Sequence, residues 1–148
     1  MNEKKPPPSA PEFRRQLSLL RDALFHLHKA LVDSERISYE QNIGTIASPN
    51  HFLQLLTRDP WFAWLQPLSQ LIVTMDEAMD AKAKTPLTAE PASVLVSQTA
   101  ALLVASETGE GFARHYFDAL QRDPDVVMAH AQAARLFRPP QSAKEEAP

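Results

Sequence analysis

No cysteine occurs in the 148 residues. Disulfide frameworks, thiolate metal sites and cysteine nucleophiles are thereby excluded. Glycine is nearly as scarce, with three residues in all. Gly109 and Gly111 in TGEG lack the rest of any phosphate-cradling motif. Positive charge is not concentrated: no run of Lys and Arg exceeds a pair, and the net charge is −3, so a nucleic-acid-binding face is not expected. Long apolar runs are missing too. The uncharged stretch from Pro91 to Ser106 contains Ser, Thr and Gln and falls short of the about 20 apolar residues that a membrane span needs. The opening MNEKKPPPSAPEF has charges and prolines but no apolar segment of the signal-peptide kind. These absences point to a cytoplasmic protein with no membrane partner, no nucleic-acid partner and no cofactor.

Apolar residues make up 44% of the chain and charged residues 22%, an ordinary globular balance. The length suits one domain, which at this size buries roughly 70% of its unfolded surface. Pro6-Pro7-Pro8 and Pro139-Pro140 mark compositionally disordered ends. The expected organisation is a tail over 1–9, a helical domain over 10–138 and a tail over 139–148.

Helix signals dominate that domain. Ser9 and Glu12 fit a capping box. Phe13, Leu17, Leu20, Leu24, Leu27 and Leu31 then follow at helical spacing. The spacing predicts a helix from about Pro11 to Asn42, with a weak point near Ile37 and Gly44 as its C-cap. Ser48-Pro49 restarts a helix that ends at Arg58. Asp59-Pro60 opens the next, which Pro67 kinks or divides. Further helices are expected over about Pro91–Ser106, Gly111–Arg122 and from Pro124 to about Phe137. No stretch alternates with period two. The fold class read from this pattern is all-α, an antiparallel bundle of about four main helices with proline-broken extra segments.

One phrase occurs twice. NHFLQLLTRDP and RHYFDALQRDP align so that His51 falls on His115 and Arg58-Asp59-Pro60 on Arg122-Asp123-Pro124. The Asp side chain can accept from free N–H groups of a first helical turn, and proline at the first position lacks an N–H that would be orphaned anyway. Arg at the preceding helix end suits the helix dipole. Repeated punctuation explains every shared residue except the histidine; a duplicated helix pair is the alternative.

Metal chemistry finds no support in spacing. No Glu-x-x-His pair and no HExxH occurs, and His26 and His28 stand on different sides of a helix. No catalytic or metal-ligating residue is assigned. Projected at 100° per residue, Arg21, His28, Glu35 and Tyr39 form a polar line along one edge of the leucine seam, while His130 lies centrally in the stripe Val126, Ala129, Ala133 and Phe137. These read either as boundary groups whose heads reach water or as the lining of a pocket with a shifted acid. His28, Glu35, Tyr39 and His130 are therefore the ligand candidates. In DPWFAWLQPLSQLI, Trp61 and Trp64 project inward, whereas Phe62 and Val73 point away and are candidates for a partner surface.

LHKALVDSER, the following YE, and DPWFAWLQPLSQLI with MDEAM resemble a group of bacterial conserved hypothetical all-helical proteins over most of residues 13–80. The resemblance implies a bacterial source and no particular activity.

The functional expectation is a non-enzymatic helical bundle acting through protein–protein interaction, self-association included. The alternative is a small-ligand-binding or ligand-processing bundle with a pocket near His28, Glu35, Tyr39 and His130. Because Pro91–Ser106 carries no charge on any side, this helix is expected either to be enclosed by the other helices of its own chain or to be covered by a second subunit; a homodimer, with Ser97 and Ala101 at the contact, is the expected partner arrangement.

Overall fold

The computed structural model describes residues 10–80 and 86–137. These are all-helical, without a strand. Helix α1 spans Ala10–Asn42, α2 Pro49–Arg58, α3 Gln66–Met79, α4 Ala89–Leu102, α5 Phe112–Arg122 and α6 Pro124–Phe137; a 3₁₀ turn, Pro60–Leu65, joins α2 to α3. The proposed Ser9 cap and both Pro-rich ends lie outside the described residues.

The leucine seam of α1 forms the axis of the core. Phe13, Leu17, Leu20, Leu24, Leu27 and Leu31 are all buried. Leu68, Leu71, Ile72 and Met75 of α3 join the same cluster, as do Leu95 of α4, Tyr116 and Ala119 of α5, and Val126, Ala129 and Ala133 of α6. α1 packs against α3, α4, α5 and α6. It continues past Ile37 without a break and closes with Ile43 and Gly44 both donating to the Tyr39 carbonyl. Gly44 does not take the left-handed cap conformation expected of it. The one described residue with positive φ is Gly111, which precedes α5.

The direction of α3 follows from its bonds to α1. Arg14 donates to the Met79 carbonyl, Arg21 Nη1 to Asp76 Oδ1 at 2.8 Å, and His28 Nε2 meets Ser69 Oγ at 2.7 Å. As the α1 number rises the α3 number falls, so the two helices run antiparallel.

The proline punctuation reads as expected. Ser48 accepts from the His51 N–H at 3.0 Å. Asp59 Oδ1 accepts from Trp61 N–H at 2.8 Å, and Asp123 Oδ1 from Asp125 N–H at 2.9 Å. Pro67 divides the aromatic segment, lying in the first turn of α3 where its missing N–H costs nothing.

Helix α4 departs from expectation. It starts earlier and ends at Leu102 rather than Ser106, because the Ser106 N–H donates to the Ala113 carbonyl and turns the chain toward α5. Nor is it enclosed on all sides. Ala92, Leu95 and Thr99 are buried, while Ser93, Val94, Ser97, Gln98 and Ala101 face solvent. This outward face is mixed, and a homodimer is not required to cover it.

Candidate functional site

The four ligand candidates do not converge on one pocket. His28 bonds Ser69 of α3 and lines a cleft of about 300 Å³ with Leu56, Phe62, Leu65 and Val73. Burial lowers its pKa from the ordinary 6.5. Glu35 is 6% exposed, and its Oε2 accepts from Arg122 Nη2 of α5 at 2.8 Å; the same guanidinium donates through Nε to Ser34 Oγ at 3.1 Å. Tyr39 packs edge-on against Trp61, with ring centroids 5.8 Å apart, and lies 5.6 Å from Phe62. His130 Nδ1 meets the buried Tyr116 hydroxyl at 2.6 Å, where burial pushes the phenol pKa up.

The reason is axial distance. His28 and Glu35 lie on one edge of α1, but seven residues separate them by roughly 10 Å along the helix. At the level of His28 the neighbour is α3. At the level of Glu35, α3 has given way to the 3₁₀ turn, and α5 supplies the partner. Helical projection resolves azimuth and carries no information about which neighbour occupies it at each level.

The partner-surface candidates divide as well. Val73 is 45% exposed, and Ser97 and Ala101 are exposed. Phe62 is 1% exposed, packed against Tyr39 and Phe52. Its segment is 3₁₀, with about 3.0 residues per turn instead of 3.6, so a projection at the α-helical angle sends Phe62 to the wrong side. Neither tryptophan finds, among the described residues, a hydrogen-bond partner for its buried indole N–H.

Two features escaped the sequence reading. The first is Phe25, 61% exposed and the sole aromatic among the large exposed hydrophobic residues described. Arg21 and His28, one helical turn to either side of it, bond Asp76 and Ser69, which lie one turn to either side of Val73. The two polar pairs thus bracket, along the α1–α3 seam, an exposed residue on each helix, Phe25 on α1 and Val73 on α3. The second feature is the group formed by His115, Asp118 and Arg122 on α5, which lines a cleft of about 250 Å³ together with Glu35, Ser38 and Trp61. The repeated phrase contained its trace, since His115 and Arg122 belong to the second copy. In the first copy His51 accepts from the Ala47 N–H. Aspartate and proline punctuate both copies, while histidine and arginine serve different ends in each.

Among the described residues no group of His, Cys, Asp or Glu is placed to hold a metal ion, and no helix is long and apolar enough to cross a membrane. Comparison of the chain with family models, curated proteins and solved structures finds no match. The roles of these residues therefore rest on geometry.

Proposed function

We propose that this chain acts by binding another polypeptide along the outer rim of the α1–α3 seam. The observation that carries the reading is the exposure of Phe25 on α1 and Val73 on α3 at the level between two bonded polar pairs. Single exposed apolar residues are normal on a protein surface. An aromatic and an aliphatic side chain exposed at the same level of two packed helices, with polar pairs on either side, have instead the make-up of an interface centre. The apolar surface also extends sideways: Val73 lines the neighbouring cleft with Leu56 and Leu65, giving an incoming side chain a recess to enter.

The supporting architecture is read as an antiparallel bundle of four main helices, α1, α3, α4 and α6. The reversed order of the α1–α3 bonds and the packing of α1 against the other three support this reading. A second copy of the chain is one partner this surface would accept.

The test replaces Phe25 and Val73 by Glu, singly and together. Both positions are exposed, so the denaturation midpoint should stay close to that of the parent, while association in native mass measurements falls for the single variants and is lost in the double variant. Full association by a folded double variant would overturn the reading.

A further inference from the structure

We propose that the cleft between α1 and α5 binds a small zwitterion of the amino-acid type. It is separate from the α1–α3 rim and does not depend on it. Two helical stripes face one another across the cleft. His115, Asp118 and Arg122 follow at spacings of three and four on α5, which puts them on one face; Glu35 and Ser38 stand three apart on α1. Trp61, from the 3₁₀ turn, closes the end. The cavity of about 250 Å³ holds roughly eight waters at about 30 Å³ each. That is room for a free amino acid and too little for a nucleotide.

The donors and acceptors around this space are unequally used. A guanidinium carries five N–H donors. Those of Arg122 bond Ser34 through Nε and Glu35 through Nη2, which leaves the Nη1 N–H groups for a charge-assisted bond to a carboxylate. The His115 ring stacks on Trp64 with centroids 5.3 Å apart and planes 17° from parallel, and neither ring nitrogen is hydrogen-bonded to a described residue. The ring of Trp61 adds an apolar wall to the cleft. Arg122 Nη1 and the His115 ring can thus donate to a ligand in this space. On the same α5 face Asp118 is held by the exposed Arg114 at 3.3 Å, and its carboxylate remains available to an ammonium group.

Charge balance selects the ligand class. A simple anion entering here would meet the carboxylates of Glu35 and Asp118, and a simple cation would meet Arg122. A zwitterion satisfies both poles, carboxylate toward Arg122 and His115 and ammonium toward Asp118, without leaving an unpaired charge in a half-enclosed space.

The chain holds two tryptophans, one lining the cleft and one stacked on His115, so intrinsic fluorescence reads this site directly. The experiment titrates the full chain with each of the twenty free L-amino acids. A subset should give a saturable change with half-saturation below about 1 mM. For the tightest of them, the related amine lacking the carboxylate and the related acid lacking the ammonium should each bind at least about tenfold more weakly. Asp118→Asn and His115→Gln alter exposed side chains, should melt with the parent, and should each weaken binding by about tenfold. No saturable response to any of the twenty would overturn the proposal. So would equal binding by the amine or the acid, or unchanged binding in both variants.

Discussion

Arg122 Nη2 lies 2.8 Å from Glu35 Oε2, joining the end of α5 to the C-terminal third of α1 across 87 residues of chain. Glu35 is almost wholly removed from solvent, whereas the Arg122 side chain is 35% exposed. The pair stands by geometry rather than by number of charges: Nε of the same guanidinium is anchored on the buried Ser34. A carboxylate at that depth tolerates its charge because the guanidinium is already in place.

Removal of one partner should therefore cost more than removal of both. Arg122→Ala strands a buried carboxylate and should destabilise the chain by about 2–4 kcal/mol, less than a wholly enclosed pair would lose because Arg122 is partly solvated. The double change Glu35→Leu with Arg122→Met should cost clearly less. Denaturant midpoints of the three proteins check this. A single variant as stable as the parent would show that Glu35 is solvated in solution.

The His28 site predicts a pH dependence. Its folded pKa lies below the unfolded value of 6.5 because burial disfavours the imidazolium. The unfolded chain then binds more protons in the interval just below 6.5, so stability is complete above 6.5 and falls as pH drops through the lowered folded value. Denaturation at pH 7.5 and pH 5.5 should show a loss in the parent that is smaller in His28→Gln. An identical loss in both proteins would place the pH dependence elsewhere.

Asp59 and Asp123 each cap the first turn that follows them. Replacing either by Ala should lower stability by about 0.5–2 kcal/mol while leaving association through Phe25 and Val73 intact. Thermal melts and native mass measurements on the same samples separate the two effects. Association lost from a fully stable Asp59→Ala or Asp123→Ala protein would mean that the repeated phrase is a contact element rather than punctuation.

Gly111 sits at φ 60° and ψ −133° ahead of α5, backbone open essentially to glycine alone. No atom lies within 4 Å of a Cβ built there, so the cost of Gly111→Ala is conformational and not steric, about 1–3 kcal/mol. A melting temperature equal to that of the parent would contradict it.

Local periodicity made much of this molecule readable in advance. The six apolar residues from Phe13 to Leu31 repeat at the helical interval, and all six are buried. Ser48, Asp59 and Asp123 were legible as caps because capping depends on the residue and the next few backbone N–H groups. Where the local rule changed, the reading failed: Phe62 sits in 3₁₀ backbone, and the last residues expected of α4 are drawn off by a bond to Ala113. Long-range pairing was illegible. Nothing in the spacing of Arg21, His28 and Glu35 announces that their partners come from two different helices. Phe25 went unnoticed because the projection of that edge of α1 picked out its polar residues and passed over an apolar one lying farther from the stripe.

In-cell photo-crosslinking tests the binding surface most directly. A photoreactive side chain placed at position 25 or 73 lies on the proposed rim, and one at 98 lies on the mixed outer face of α4. The account predicts a discrete protein adduct from positions 25 and 73 and none from 98, with an adduct of twice 16.5 kDa if the partner is a second copy. No adduct from 25 or 73, or adducts of equal yield from all three positions, would contradict it.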